Sequence, residues 1–300
     1  MSDYSTSEYR ETANVSHPST MMCFGRRYLA SVPYPFPVDE REEQRQNFQN
    51  KLLREVMGSS LLSPVAAPSS ILDIGYGSGS WAQDLAGKFP EAHVAGIDIL
   101  PPKDMVDGNA LHENTEFIQA DIFDEKLPFA DESFDVVHIR SMAAVAPPHL
   151  WQDLIWETAR VTKIGGWVEI VEEGKPQNTT PSYAIFDEWQ QKLFAARGVQ
   201  PFPGASIGSS FPETLFASQK RYKSSAAARI DVSSESDPVA ALAATYFMGT
   251  LESLGPIIAS CDFASEREVR RVIESIRSEL LSAAVPPSIT HFFTAAQRVA

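Results

Sequence analysis

The sequence predicts an α/β fold with a mostly parallel sheet that carries helices on both faces. Three observations lead to this prediction. Short apolar runs alternate with helix-like stretches between residues 71 and 173. The segments between these runs have the length of crossover connections, which join parallel strands. A glycine-rich turn, GYGSG at 75–79, directly follows the first run, at the point where parallel sheets bind ligands.

The first sixty residues divide into a tail, an extended segment and a helix. Residues 1–20 are rich in Ser, Thr and charged residues and predict a disordered tail. Residues 31–40 are punctuated by prolines and predict extended chain. The next stretch predicts a helix with an apolar face between Phe48 and Met57, ended by Gly58. We expect residues 21–60 to form a lid segment.

The sheet and its cap follow from the remaining apolar patterns. Strands are predicted at 70–75, 92–99, 115–123, 133–140 and 167–173, and later at 226–233 and 288–299. Helices are predicted at 80–89, 148–162 and 182–198, with a mainly helical region at 236–284 and a turn at Gly165–Gly166. We expect a single domain overall. In it, residues 61–175 form the ligand-binding core, and residues 176–300 form a cap together with the final strands.

Composition excludes several classes of function. The chain has 300 residues, and its 39 acidic and 25 basic residues give a net charge of −14, which disfavours direct binding to nucleic acid. No apolar stretch reaches the length of a membrane span. The two cysteines, Cys23 and Cys261, predict neither a disulfide framework nor a cysteine-ligated metal. We expect a cytoplasmic protein, or a nuclear one if it is regulatory, that is a monomer or homodimer and holds no metal.

The glycine turn indicates which ligand the sheet binds. Dinucleotide-binding proteins need the spacing G-x-G-x-x-G, whereas Gly75, Gly77 and Gly79 follow G-x-G-x-G. Asp73 lies two residues before the first glycine, where a carboxylate suits an ammonium group rather than a pyrophosphate. This disfavours a nicotinamide-dependent dehydrogenase. The ligand is expected to carry an amino acid end.

Acidic residues at two further strand ends indicate the remaining parts of the ligand. Asp98 ends the second predicted strand, where a carboxylate can bind both ribose hydroxyls. Asp121, at the end of the third, can accept a hydrogen bond from an exocyclic purine amine. Ile99 and Ile122 stand beside them and can sandwich the base. Amine, ribose and adenine together predict S-adenosylmethionine (SAM).

Four separated segments resemble the successive motifs of class I SAM-dependent methyltransferases. They are LDIGYGSG (72–79), GIDI (96–99), QADIFDEKLPFADESFDVVHIR (119–140) and GGWVEIVEE (165–173). The resemblance implies a Rossmann-like, mostly parallel seven-stranded sheet, with SAM as cofactor and S-adenosylhomocysteine (SAH) as product. It also implies that Asp73 and the glycines line the methionine part, that Asp98 binds ribose and that Asp121 reaches adenine.

A narrower resemblance covers more of the chain. The segment GRRYLASVPYPFPVDEREEQRQNFQ (25–49), Trp81 and FDVVHIR (134–140) are similar to fungal LaeA-like methyltransferases. That group includes tailoring enzymes of secondary metabolism and a regulator of it. The resemblance implies that the N-terminal segment covers the SAM site, with Arg26 and Tyr28 near the cofactor. Residues 174–290 match the group loosely, so they imply no substrate.

Candidate catalytic residues lie at the ends of the last predicted core strands. Arg140 ends the fourth strand and is expected to contact cofactor or acceptor, and His138 shares its face. Glu172 and Glu173 end the fifth strand, where one of them can face the acceptor. His291, in the last predicted strand, is a weaker candidate. Several aromatic residues can wall an acceptor pocket or pack in the core: Phe186, Trp189, Phe194, Tyr246 and Phe247.

We therefore predict methyl transfer to oxygen or nitrogen of a small, fairly apolar natural product in secondary metabolism. Methyl transfer from a sulfonium needs alignment and exclusion of water rather than a fixed triad. Two alternatives stay open. One is a LaeA-like regulator in a nuclear complex, and the other is a SAM-binding enzyme that catalyses a different reaction, such as a cyclisation.

Overall fold

Strands and helices alternate in the computed structural model, which describes residues 18–100, 105–106, 108–123, 126–200, 202–230 and 236–300. The described strands are β1 (Thr20–Cys23), β2 (Arg26–Leu29), β3 (Ser70–Ile74), β4 (His93–Asp98), β5 (Met105–Val106), β6 (Asn109–Ala110), β7 (Thr115–Gln119), β8 (Phe134–Arg140), β9 (Thr162–Glu173), β10 (Phe216–Ala227) and β11 (Ser288–Arg298). The described helices are α1 (Glu40–Met57), α2 (Ser80–Lys88), α3 (Pro148–Val161), α4 (Pro181–Ala196), α5 (Pro238–Ser260) and α6 (Glu266–Ser282).

The main sheet has seven strands in the order β10-β11-β9-β8-β3-β4-β7. The five strands from β9 to β7 are parallel to their neighbours, and β11 runs antiparallel between β9 and β10. This arrangement confirms the predicted Rossmann-like sheet. Because the parallel strands all end at one edge, the residues after β3, β4, β7, β8 and β9 come together there.

Helices cover both faces of the sheet, which explains the unbroken apolar runs of its strands. Leu72 and Ile74 pack in one cluster with Leu154 of α3. Ile71 points to the other face and packs with Leu85 of α2. Every one of these side chains is at most 2% exposed. Burial on both sides favours continuous apolar sequence over alternation.

A further apolar cluster joins the cap helices α4, α5 and α6 to helix α1 of the N-terminal segment. Large side chains fill it, including Phe186, Leu193, Leu251, Leu254 and Ile276, and all five are at most 1% exposed. Helix α1 packs along α5, so the N-terminal segment and the cap form one wall above the edge of the sheet.

Several predicted boundaries are wrong. The strand predicted at 226–233 instead spans Phe216–Ala227. Because β10 is an edge strand, it contains polar residues such as Lys220 and Lys223, and the search for apolar runs therefore missed its first part. The Gly165–Gly166 turn lies inside β9, where the pairing with β8 shifts register. The third core strand ends at Gln119, so Asp121 lies in the loop that follows. Residues 231–233 are outside the described part of the chain.

The N-terminal segment contains a hairpin that the sequence pattern did not predict. Strands β1 and β2 pair antiparallel, and Phe24 and Gly25 turn between them with φ of 46° and 81°. The predicted tail lies outside the described residues up to position 17. In the described part of the chain, no helix is long and apolar enough to cross a membrane, and no group of three His, Cys, Asp or Glu residues could hold a metal ion.

Candidate cofactor and acceptor site

A cavity of about 390 Å³ opens at the carboxyl edge of the parallel strands, within the range of about 300–1,000 Å³ typical of ligand pockets. The sheet contributes one wall of predicted residues: Gly75, Gly77, Asp98, Ile99, Asp121, Ile122, Arg140, Glu172 and Glu173. The segment from Leu29 to Gln49 contributes the opposite wall, and residues of α4 and α5 close one end. The fold therefore brings most of the predicted site residues to one cavity.

The glycine turn brings backbone, rather than side chains, to the cavity wall. Gly75 and Gly77 have φ of 70° and 54°, a region that favours glycine. A Cβ on Gly75 would collide with the sulfur of Met142, and one on Gly77 would lie 2.6 Å from Gln46 Oε1. Gly79 does not line the cavity. A Cβ there would meet the ring of Phe117, so the third glycine serves packing behind the turn.

Asp98 fixes the glycine turn and still faces the cavity. Its Oδ2 accepts from the Gly77 N–H at 2.9 Å, and its Oδ1 accepts from the Leu100 N–H at 3.0 Å. Asp121 accepts from the Phe123 N–H at 3.0 Å and lines the cavity beside Ile122.

Asp73 and Arg140 form an electrostatic pair near the centre of the edge. Asp73 is 3% exposed, and its Oδ2 has no hydrogen-bond partner among the described residues. Burial raises the pKa of this carboxyl, while the charges of His138 and Arg140 oppose the shift. Arg140 lines the cavity and donates to Asn50 Oδ1 at 2.8 Å. Asp73 lies behind the cavity wall, so its predicted contact with an ammonium group remains a prediction.

His138 and Trp81 do not reach the main cavity. The two rings stack at 3.8 Å with an interplanar angle of 9°, and His138 Nδ1 lies 3.4 Å from Glu169 Oε2. His138 is 2% exposed. It therefore belongs to a buried polar row across the sheet, and its candidate catalytic role stays a prediction. Trp81 donates to the Ser60 carbonyl at 2.7 Å and holds the linker before β3.

Arg26 and Tyr28 join the N-terminal segment to its neighbours rather than lining the cavity. Arg26 forms an ion pair with Asp39 at 2.7 Å, and Asp39 caps α1. Tyr28 is fully buried and donates to the Ser253 carbonyl of α5 at 2.6 Å. Tyr28 therefore anchors the N-terminal segment to α5, and its expected contact with the cofactor stays a prediction.

Replacing Tyr28 with phenylalanine tests this structural role. The change removes one buried hydrogen bond, so we expect the free energy of unfolding to fall by about 1 kcal/mol. The affinity for SAM should stay unchanged. Denaturant unfolding and SAM titration measure the two effects, with Tyr222→Phe as control because Tyr222 is 53% exposed. Weaker SAM binding at unchanged stability would instead indicate that Tyr28 contacts the cofactor.

Helix α1 turns a polar stripe toward the cavity, which the sequence pattern did not assign to the site. Glu42, Arg45 and Gln49 are all less than 9% exposed. Gln49 Nε2 donates to Ser141 Oγ at 3.2 Å and to Tyr246 Oη at 3.0 Å. Ser141 has φ of 55°, a strained value for a residue other than glycine. The spacing of these polar residues, three or four apart on one helix face, was the available signal.

Two acidic residues of β9, Glu172 and Glu173, line the cavity, and Glu173 contacts α5 through Tyr246. Burial raises the pKa of Glu172 to about 8, although it accepts from the backbone N–H groups of Met142 and Ala143. Burial also raises the pKa of Glu173 to about 7, against a hydrogen bond from Tyr246 and the charge of Arg45. Tyr246 Oη lies 2.5 Å from Glu173 Oε2. His291 is placed directly opposite Glu173 on β11.

All five aromatic candidates belong to, or pack against, the apolar cluster of the cap. Two of them, Phe194 and Tyr246, also line the cavity. Periodicity within one helix could not separate the two groups, because the orientation of each helix depends on its packing partners.

Comparisons with known proteins identify the core. Residues 71–166 match the family described as "Methyltransferase domain". The chain is 32% identical to the secondary metabolism regulator laeA of Aspergillus niger over 193 residues, 61% of this chain and 50% of that protein. It is 34% identical to methyltransferase str3 of Strobilurus tenacellus over 120 residues, 39% of this chain and 41% of that protein.

A solved structure is also similar. It is phosphoethanolamine N-methyltransferase 2 of Haemonchus contortus in complex with SAM, at 18% identity and a TM-score of 0.46 over 83% of this chain and 52% of that one. The chain spans about half the length, or less, of the curated relatives it matches. Residues 71–166 thus match a methyltransferase domain, and the chain is a distant relative of the fungal laeA and str3 proteins.

Proposed function

We propose that this protein transfers the methyl group of SAM to oxygen or nitrogen of a small, fairly apolar natural product of secondary metabolism. In this proposal residues 61–175 bind the cofactor, residues 21–60 act as a lid and residues 176–300 hold the acceptor. A cytoplasmic location and a monomeric or homodimeric state belong to the same proposal. The proposed location rests on the composition of the chain, which has only two cysteines.

The row of polar groups along the sheet edge carries the proposal. Asp121, Asp98, Gly75 and Arg140 line one cavity, and they follow the neighbouring strands β7, β4, β3 and β8 in spatial order. Neighbouring strands lie about 4.8 Å apart. The row therefore has the length and the chemistry to take adenine, ribose and an amino acid end in succession.

The residues present fit SAM. The orphaned Oδ2 of Asp73 is a buried acceptor without a donor among the described residues, as an ammonium partner requires. Arg140 supplies a cation for the carboxylate of the methionine end. Gly75 and Gly77 bring backbone to the cavity wall in positive-φ conformations that favour glycine. Bound SAM supplies a methyl group already activated on a sulfonium, so the protein has to orient the acceptor and exclude water.

Apolar side chains in the same cavity suit an apolar acceptor. They include Phe36, Leu150, Phe194, Phe202 and Leu254. Aromatic and aliphatic walls with a few polar groups are typical of small-molecule sites. The str3 relative, whose name is that of a methyltransferase, agrees with an enzyme role.

A calorimetric titration with SAM, repeated with SAH, tests the cofactor. We expect both to bind with micromolar affinity, and SAH to accumulate when extracts rich in fungal natural products are supplied. A folded sample that binds neither ligand would overturn the proposal. Turnover on tRNA or histone, and on no small molecule, would overturn the acceptor class.

The similarity to laeA of Aspergillus niger, a secondary metabolism regulator by name, supports a second candidate function. In this alternative the chain acts as a regulator within a nuclear complex. Affinity purification from the native organism distinguishes the two. Recovery of transcription factors in stoichiometric amount would favour the regulator, and SAH formation on a small molecule would favour the enzyme.

A further inference from the structure

We propose that Glu173, held by Tyr246, is the proton acceptor of an acceptor subsite that takes an uncharged hydroxyl on an apolar ring compound. This inference rests on the proposed function and extends it to the acceptor class. It specifies oxygen as the methyl-accepting atom, in a hydroxyl group that must lose its proton.

The position of Glu173 relative to the cofactor row is the first argument. Arg140 of β8 is paired in register with Val171 of β9, so Glu173 projects two residues beyond it, about 6.6 Å farther along the strand direction. Strand β9 is the next strand after β8, beyond the end of the cofactor row. Glu173 therefore lies one strand from the methionine end, where an acceptor must approach.

A fixed hydrogen-bond chain holds the carboxyl group. Gln49 of α1 contacts Tyr246 of α5, and Tyr246 contacts Glu173 Oε2. Below it, His291 is 2% exposed and its Nε2 lies 4.0 Å from the same oxygen, without a hydrogen-bond partner among the described residues. The carboxyl itself is 18% exposed and lines the cavity. It is anchored on one side and open to the acceptor on the other.

Charges around this group select an uncharged acceptor. Glu172 and Glu173 both line the cavity. The ionised carboxylate of Glu173 repels an anionic acceptor, whereas burial favours the uncharged form of Glu172. Arg45 lies over the ring of Tyr246, but its guanidinium is engaged by Glu42. A protonated amine would be repelled by Arg140 and by the sulfonium of the cofactor. A neutral hydroxyl avoids both penalties.

The groups that face Glu173 give it a proton affinity suited to this step. Burial raises its pKa to about 7, opposed by Tyr246 and Arg45. The charge of Glu173 helps to raise the pKa of Tyr183 on α4 as well as that of Tyr246. His291 has its pKa lowered to about 4 by burial and by Arg140 and is neutral at pH 7. General bases work best with a pKa near the working pH.

The step balances without a further reactant. Glu173 takes the hydroxyl proton while the hydroxyl oxygen forms its bond to the methyl carbon. The carbon–sulfur bond breaks, and its electron pair stays on sulfur. The products are a methyl ether, a neutral thioether and a protonated Glu173, which returns its proton to solvent.

A matched pair of probes tests the acceptor class: 2-naphthol and 2-naphthoate, which share a ring system. With SAM, the wild type is expected to form SAH with 2-naphthol at least about tenfold faster than with 2-naphthoate. Glu173→Gln should lower the naphthol rate about 100-fold, the lower range of general-base contributions. Its SAM affinity should stay within about twofold. Glu188→Gln is the control, because Glu188 is an exposed residue of α4.

Tyr246→Phe tests the positioning role through the pH profile. The wild-type rate should rise with pH and level off above about 7, as Glu173 ionises. Loss of the Tyr246 hydrogen bond removes an interaction that favours the ionised form, so the profile should move to higher pH. Carboxyl ¹³C NMR, with the Glu173 resonance identified by its absence in Glu173→Gln, should show the same shift without any cofactor.

The outcomes separate this inference from the proposed function. Failure of SAM to bind would overturn the proposed function. A Glu173 that titrates near the ordinary glutamate pKa of about 4.3 would overturn the acceptor subsite alone. So would a naphthol rate that Glu173→Gln leaves unchanged, a preference for 2-naphthoate, or SAM binding without turnover of either probe.

Discussion

Replacement of Asp98 by alanine is expected to weaken SAM binding about 30-fold. The carboxylate holds the glycine turn through the Gly77 N–H and faces the cavity where ribose is proposed to lie. A hydrogen bond to a charged group contributes about 1.5–3 kcal/mol, and a loss of about 2 kcal/mol corresponds to about 30-fold in affinity. Calorimetry with SAM measures the change.

A second ligand shows which part of the cofactor Asp98 holds. 5′-Methylthioadenosine contains the adenine and ribose of SAM but no amino acid end. If Asp98 binds ribose, Asp98→Ala should weaken both ligands by the same factor. Asp153→Ala is the control, because Asp153 is exposed on α3. Unchanged affinity for both ligands, with a folded protein, would remove Asp98 from the ribose site.

The parallel core could be predicted because its sequence signals are local. Strand β3 and the glycine turn are adjacent in the chain, and burial on both faces makes the strands apolar throughout. Asp98 is the last residue of β4, and Asp121 lies two residues after the end of β7. The order of the parallel strands brings both residues to one edge of the sheet. The predicted cavity wall therefore depended on strand order, which the right-handed crossover rule constrains strongly.

The rest depends on contacts between distant segments. Tyr246 and Glu173 lie 73 positions apart, and only the packing of α5 against the sheet edge joins them. Asp73 and His138 are paired in register on neighbouring strands. The stacking of Trp81 on His138 depends in addition on how α2 packs against the sheet. Strand β10 was misplaced because an edge strand needs no apolar face toward solvent. The residue pattern of one segment cannot predict contacts of this kind, because they depend on how distant segments pack together.

Replacement of Arg140 by methionine is expected to weaken SAM binding about 30-fold while affinity for 5′-methylthioadenosine stays within about twofold. The change removes the guanidinium proposed to bind the methionine carboxylate, a charge-assisted interaction of about 2 kcal/mol. Methionine keeps much of the side-chain volume, so within the protein the substitution mainly removes the hydrogen bond to Asn50. Calorimetry with both ligands measures the ratio.

The two-ligand ratio also separates recognition from scaffold effects at this position. The positive charge of Arg140 opposes the burial-driven rise in the pKa of Asp73. Without Arg140, Asp73 should therefore bind a proton more readily, and a protonated carboxyl binds an ammonium group less strongly. Asp73→Asn should therefore reproduce the selective loss for SAM, and the double variant should lose less than the sum of the two single changes. Equal losses for SAM and 5′-methylthioadenosine would mean that Arg140 shapes the whole sheet edge rather than the amino acid end. Strict additivity would mean that Asp73 and Arg140 act on separate parts of the ligand.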